Sequence, residues 1–375
     1  MNAQILVSRN RNSGDKNPSK NPCYRKFIAE RGSRQTAPTV VNQATPWSLF
    51  HFWVDLAAAL AIGLGAPSMS FAQKLAPEIE AFVAEMVQKH GFETAALRRL
   101  FGQVQARPAV IRAISTPGTA RPWHEFRSRY VEPARINDGV AFWRGNAATL
   151  EKAAREFGVP EEIVVATLGV ETFYGRNTGG FKVLDALTML AFRYPPRAEL
   201  FRSELEEFLL LARETGVDAA GIRGSYAGAM GIPQFLPSSY RRHAIDFDGD
   251  GKRDIMGSPA DAIGSVANYY RSFGWRAGET IAVPAEVEGS GIDAVLEIGI
   301  KPQLKVAELR ARGVVPAAPV DEGAEAALFV VESATGPRYW LGLNNFYVIT
   351  RYNRSVNYAL TVQELAQELR ARVRP

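Results

Sequence analysis

The sequence predicts a mainly helical α+β protein, and three observations carry that expectation. Apolar residues recur at helical spacing through much of residues 74–275, β-like runs cluster in 276–336, and helical periodicity returns at the C-terminus. These textures suggest four regions: a leader over 1–72, a helical domain over 73–140, a core from 141–275 with 337–375, and a small β-rich domain over 276–336.

The leader is set apart by composition. Residues 1–46 are rich in Asn, Ser, Pro, Arg and Lys, lack apolar periodicity, and read as disordered. Eleven apolar residues follow, Leu56 to Ala66, then Pro67 and Ser68-Met69-Ser70-Phe71-Ala72. The run is too short to span a bilayer and suits a signal-peptide core, with cleavage expected before Gln73. Asp55 beside the run and the distance to the nearest upstream cation, Arg34, fit poorly; a misassigned start codon would explain both. A buried core helix is the plainer alternative. Cys23, the only cysteine, sits in NPCYR and not after a short apolar run, so no lipobox is seen. The mature chain would have no disulfide, no thiolate metal site and no cysteine nucleophile.

Of 44 Lys/Arg and 39 Asp/Glu, the leader holds eight and three, which leaves 36 of each sign for the body. A neutral body offers no basic surface for nucleic acid, despite a pI near 9.2. A soluble exported protein, without a stable transmembrane anchor and monomeric, is the expectation.

Within the body, Ile79, Phe82, Val83, Met86 and Val87 share one helical face in residues 74–112, and 118–136 is less regular. Asn146 is placed to cap a helix that runs through Phe157 and stops at Gly158. Pro160, Glu161 and Glu162 start the next, which is apolar almost throughout (IVVATLGV) and ends at Glu171. Residues 182–214 read as amphipathic helix broken at Pro195-Pro196, and 260–273 as another. Beyond Gly274-Trp275, the runs TIAVPAEVE, AVLEIG and AALFVV read as strands, and Thr361–Arg372 as helix.

Glu171 is the first chemical candidate. An apolar helix gives its carboxylate little water, and the negative pole of the helix repels an anion; both raise its pKa, as a general acid near neutral pH requires. The bland reading is a half-exposed helix-end glutamate. Glycines and alanines in GSYAGAMG (224–231) would let a ligand approach the backbone, with Ser225 and Gln234 as polar contacts, although tight helix–helix packing is the commoner use. Asp246, Asp248, Asp250 and Gly251 match the first half of an EF-hand loop, and Lys252 would offer its carbonyl. The twelfth position is Gly257 instead of Glu, so a standard loop fails, but Asp261 could close a longer one. The alternative is a solvated Asx/Gly turn. Histidines 51, 90, 124 and 243 lack metal spacing, and Gly-x-Ser-x-Gly and P-loop patterns are absent.

Four segments together, GVETFYG (169–175), GSYAGAMGIPQFLPSSY (224–240), DFDGDGKRD (246–254) and NFYVITRYNRS (345–355), closely resemble the lytic murein transglycosylase B family. They occur in that family's order and cover roughly residues 75–375. The resemblance implies a lysozyme-like catalytic core that acts in the Gram-negative periplasm on the glycan strands of peptidoglycan. It implies Glu171 as the sole acid/base, with Ser225, Gln234, Tyr352, Asn353, Tyr358 and, more weakly, Tyr269 along the saccharide cleft. It also raises the case for structural calcium at the extended aspartate loop, with no cofactor for catalysis. One departure is Phe126, where the family pattern suggests a cleft tyrosine.

Classical glycosidases need two carboxylates. No second one lies in these motifs, so the substrate's own 2-acetamido group would have to assist. Glu171 would protonate the glycosidic oxygen and then take the proton of the C6 hydroxyl, which closes a 1,6-anhydro ring without water. A muramidase that admits water and a non-catalytic peptidoglycan-binding module are the alternatives; a glutamine at 171 would have favoured the latter.

Overall fold

The computed structural model describes residues 75–116, 121–288 and 291–373. The expected signal peptide and cleavage site lie outside these residues. The N-terminal third consists of α1 Pro77–His90, α2 Thr94–Phe101, α3 Pro108–Ile114, α4 Trp123–Ser128 and α5 Pro133–Gly145. The face read at Ile79, Phe82, Val83, Met86 and Val87 lies wholly on α1, and the rest of 74–112 forms two further helices. Gly91, in the left-handed region at φ 66°, ends the first, and Pro108 opens the third at a position that needs no amide hydrogen.

Then come α6 Ala147–Phe157 and α7 Glu161–Thr172, bounded by Gly158 and Pro160 as the sequence predicts. Asn146 occupies the N-cap of α6, but its side chain donates backwards to the Phe142 carbonyl at 2.8 Å. A two-residue strand, β1 Phe181–Lys182, leads into α8 Val183–Arg193; a 3-10 turn at Pro195–Arg197 separates it from α9 Ala198–Thr215. After β2 Arg223–Gly224 come α10 Pro237–His243 and α11 Pro259–Ser272.

The β-rich region contributes β3 Ala282–Val287, α12 Ile292–Leu296, β4 Leu304–Lys305, α13 Val306–Arg310, β5 Val314–Pro316, β6 Glu325–Ser333 and β7 Gly336–Gly342. Its strands form an antiparallel sheet in the order β4-β6-β7-β3-β5. Here one expectation fails: AVLEIG, read as a strand, belongs to α12. Ile292 and Val295 are the residues it buries, a spacing of three that suits one turn of helix. AALFVV is a strand, and its unbroken apolar run has a reason. Ala326 and Leu328 face a local core with Val306 and Leu309, whereas Phe329 and Val331 face the main core. A strand buried on both faces loses its polar alternation. The chain ends in α14 Asn344–Tyr352 and α15 Val356–Val373.

α7 is the centre of the main core. Ile163, Val164, Val165, Ala166, Leu168 and Val170 are all buried, with α5, α6, α11 and α15 packed around them. The polar side chains that it buries at Glu161 and Thr167 are partnered. Glu161 accepts from the Trp143 indole at 2.7 Å, and the Thr167 and Tyr270 hydroxyls meet at 2.8 Å. Unpaired, each would cost about 1–3 kcal/mol.

Gly139 of α5 lets this packing close, because a Cβ there would stand 2.2 Å from the Tyr174 hydroxyl and 2.5 Å from Leu369 Cδ2. In an open helix Gly→Ala would stabilise by about 1 kcal/mol. Here overpacking, about 1–3 kcal/mol, should outweigh it. Gly139→Ala is therefore expected to lower the melting temperature, and an unchanged or raised midpoint in a thermal scan would contradict the packing described.

Candidate active site

Glu171 sits in the last turn of α7, one residue before its end. The helix stops because Phe173 and Tyr174 both adopt left-handed backbone, at φ 55° and 59°. Non-glycine residues pay about 1–2 kcal/mol each for this conformation, so neighbouring contacts must hold it. Phe173 lies between two guanidinium groups, with Arg135 Cζ 4.4 Å and Arg176 Cζ 5.2 Å from its ring centroid. Arg135 also donates through Nη1 to the Gly169 carbonyl, which accepts from the Phe173 amide at 3.1 Å as well. The Tyr174 hydroxyl donates back to the Arg135 carbonyl at 3.0 Å. Thr172 donates to the Ile232 carbonyl at 2.7 Å and accepts from the Gly175 amide at 2.9 Å. The turn that aims Glu171 is thereby fixed from three sides.

Glu171 lies on a cavity of about 410 Å³, and Ser225, Gln234, Tyr269, Tyr352 and Asn353 line the same space. Tyr358 does not line it. It is 2% exposed, lies beneath the carboxylate and donates its hydroxyl to Glu171 Oε1 at 2.6 Å. Among the lining residues Glu171 is the only acid. Part of Glu171 stays open to the cavity, but burial pushes its carboxyl up to about 7, against a smaller lowering by the Tyr358 hydroxyl.

The other tyrosines form the wall chiefly through their rings, since their hydroxyls are committed to backbone. Tyr352 donates to the Pro233 carbonyl at 2.5 Å and Tyr269 to the Arg351 carbonyl at 2.7 Å. Their rings lie 4.8 Å apart, and Phe235 touches both. Burial pushes Tyr269 up to about 12, with Glu171 adding to the shift.

Ser225 and Gln234 each keep part of their hydrogen bonding for a ligand, beside Tyr226, Ser239, Arg351 and Asn353 on the same wall. Ser225 Oγ accepts from the Ala227 and Ala229 amides at 3.3 and 3.0 Å, which leaves its own hydrogen free to donate. Gln234 spends both amide hydrogens on the Thr178 and Gly231 carbonyls, at 3.0 and 2.9 Å, so its Oε1 faces outward as an acceptor. Most of the glycine space in GSYAGAMG serves the protein instead of a ligand. A Cβ on Gly228 would strike Leu187 at 2.4 Å, and one on Gly231 the Ile255 carbonyl at 2.5 Å. Ala227 and Ala229 do line the cavity.

Phe126 is buried, with its ring centroid 4.9 Å from that of Tyr130. Tyr130, one helical turn on, is raised in pKa by burial and by the charge of Glu171, which places its hydroxyl in the field of the site. Sequence reasoning missed Tyr130 and Arg135. Both fall in the weakly periodic 118–136 region, where no spacing singled them out. A larger cavity of about 560 Å³ at the opposite end of α7 is lined by apolar residues, by Glu279, Thr280, Gln363 and Gln367, and by the Glu162–Arg370 ion pair. It lacks Glu171, the carboxyl raised to about 7, and it lacks Ser225 and Gln234, so the chemistry belongs to the smaller space.

In the aspartate loop, Asp246, Asp248 and Asp261 each bring one carboxylate oxygen within 4.8 Å of the others. Asp261 is fully buried, and its two oxygens accept from the amides of Phe247, Asp248 and Asp254. Asp250 lies outside this cluster and accepts from the Lys252 amide at 2.8 Å.

A family model for the transglycosylase SLT domain matches residues 74–367. The membrane-bound lytic murein transglycosylase B of Escherichia coli K12 is 41% identical over 301 residues, covering 78% of this chain and 82% of that protein. Among solved structures, the soluble lytic transglycosylase SltB1 of Pseudomonas aeruginosa superposes with a TM-score of 0.74 at 46% identity, over 79% of this chain and 99% of that one. The E. coli lytic transglycosylase Slt35 in complex with calcium gives 0.73 at 41% identity, covering 79% and 94%. SltB3 of P. aeruginosa in complex with NAG-anhNAM-pentapeptide gives 0.68 at 32% identity, covering 78% and 79%. With the fold and the motif order in agreement, the chain belongs to the SLT-domain lytic transglycosylase family.

Proposed function

We propose that this protein is a lytic transglycosylase that cleaves the β-1,4 bond between N-acetylmuramic acid and N-acetylglucosamine and leaves a 1,6-anhydro end. The observation that carries the reading is a single cleft carboxyl held near pKa 7 with no second acid beside it. Such a group is protonated on the acid side of neutrality and can serve first as donor, then as acceptor. Glu171 gives its proton to the glycosidic oxygen as the C1–O bond breaks. The substrate's 2-acetamido group, which the protein need not supply, stabilises the positive C1 centre. Ionised Glu171 then takes the proton of the C6 hydroxyl as its oxygen bonds to C1, so the donor is regenerated and no water is consumed. The anhydro sugar in the SltB3 complex supports this course over hydrolysis. Ser225 as donor and Gln234 as acceptor suit acetamido and hydroxyl groups, while Tyr269 and Tyr352 offer rings to sugar faces; Asn353 completes the wall. We place the activity in the periplasm, with residues 1–72 as the export leader.

Calcium is the cation that the aspartate loop suits. Three converging carboxylates repel one another unless neutralised, and their donors are all oxygen. Asp246, Asp248 and Asp261 would hold the ion, which would join the loop to the start of α11 and take no part in proton transfer. The calcium complex of Slt35 supports this choice.

Three outcomes follow. Glu171→Gln should fold normally and release no anhydro-muropeptides from purified sacculi; turnover within tenfold of wild type by chromatography would remove Glu171 from the chemistry. Tyr358→Phe deletes the one hydrogen bond that lowers the Glu171 pKa, so the carboxyl should stay protonated to higher pH. The alkaline limb of the rate profile, where activity is lost as pH rises through about 7, should move upward, and a downward move would reverse the assigned electrostatics. Finally, calcium at a hundredfold excess over its dissociation constant should add about 2.7 kcal/mol of stability. If a chelator leaves the melting temperature of wild type unchanged and equal to that of Asp261→Asn, the loop holds no ion.

A further inference from the structure

A second polar concavity adjoins the cleft. β1 and β2 pair antiparallel with Lys182 directly opposite Arg223. Side chains so paired share one face with Cβ atoms about 5 Å apart, and like charges there repel. Both line a cavity of about 310 Å³, to which Arg107 adds a third cation. Arg107 is partly balanced, since its Nε donates to Asp185 at 3.2 Å and its Nη2 to Gln105 at 2.7 Å. Arg223 reaches only the Gly180 carbonyl, at 2.7 Å, and neither it nor Lys182 has an acidic partner among the described residues. Lys182 is also the N-cap of α8, so the positive pole of that helix lies beside the pair. Two opposed cations at one mouth, uncompensated by protein, are the complement of an anion.

The chain links this cavity to the cleft. Ser225 and Gln234 both line the cleft; Ser225 follows β2 directly, and Gln234 holds the Thr178 carbonyl only three residues before β1. Resting on the glycan reading above, we propose that Lys182 and Arg223, with Arg107 behind them, bind the carboxylates of the peptide stem carried by a muramic acid in the cleft. An extended stem advances about 3.3–3.6 Å per residue, so three residues span about 10 Å. Stem peptides bear several carboxylates, and a guanidinium can grip one in a two-point fork beside a lysine point charge. The pocket then selects glycan that still carries its peptides over stripped strands.

The test uses full-length protein on the Glu171→Gln background, where binding is read without turnover. Calorimetry compares uncrosslinked strands bearing tetrapeptide stems with the same strands after an amidase has removed the peptides. Lys182→Gln/Arg223→Gln, which removes both charges and keeps polar side chains, should weaken stem-bearing strands about tenfold and leave stripped strands unchanged. Raising the salt should shrink the difference, since these cations reach solvent. Equal affinities for the double variant and its parent on stem-bearing strands would overturn the proposal, as would equal losses on both substrates. Lys182→Glu provides the sign: it must bind stem-bearing strands more weakly than Lys182→Gln. Failure of the glycan reading is a separate result, seen when Glu171→Gln binds neither kind of strand, and it too removes the pocket from this role.

Discussion

Everything at the cleft depends on how α7 is buried and how it ends. A helix whose segment 163–170 carries a single polar side chain, Thr167, can persist only if other helices cover it on nearly every side, and α5, α6, α11 and α15 do so. That cover strips water from the one carboxyl near its C-terminus. The left-handed pair Phe173–Tyr174 then stops the helix at once, so Glu171 emerges at a cavity rather than into more core. The strain of that stop is offset by Arg135, whose guanidinium donates to the Gly169 carbonyl and covers the Phe173 ring. Packing and chemistry are therefore one problem here. The contacts that make the core dense around Tyr174 are also those that orient the acid.

Much of the fold was legible because punctuation and periodicity agree. Gly158, Pro160 and the Pro195-Pro196 break stand at helix boundaries, where the absent Cβ or absent amide hydrogen decides the backbone locally. AVLEIG was misread because a short apolar run carries no length signal, and burial of Ile292 and Val295 against the sheet settled its conformation non-locally. The division of residues 74–112 into three helices was hidden for a related reason. α2 and α3, eight and seven residues long, are too short to show a period of their own, and only Gly91 and Pro108 mark the joints.

The site was legible in its residues but less so in their roles. The apolar helix and terminal glutamate announce a raised pKa from sequence alone, and the structure supplies the cause in the same form. Tyr358 could be named from its motif, but only the packing of α15 against α7 shows that its hydroxyl meets the carboxyl from below. Ser225 and Gln234 are likewise half-engaged: each spends part of its hydrogen bonding on its own loop, and what is left over fixes one as donor and the other as acceptor. Arg135 and Lys182 bear on the site through contacts made by distant segments, which a linear pattern does not record.

Two buried acids show how the same side-chain chemistry is turned to opposite ends. Asp261 has no exposure at all, yet three backbone amides converge on its two oxygens, and Asp246 and Asp248 stand beside it. Hydrogen bonds of that kind fix both oxygens in place beside the neighbouring carboxylates, an all-oxygen arrangement that a hard cation requires. Glu171 receives one phenolic hydroxyl, and burial outweighs that donor, so the proton is retained toward neutrality. The difference lies in the backbone. Asp261 sits on the first turn of α11, opposite a glycine-rich loop whose amides are free to turn inward, whereas Glu171 lies at a helix C-terminus, where carbonyls and not amides are exposed. One carboxyl is gripped by amides at the start of a helix and the other emerges among carbonyls at the end of one, and this chain uses both ends.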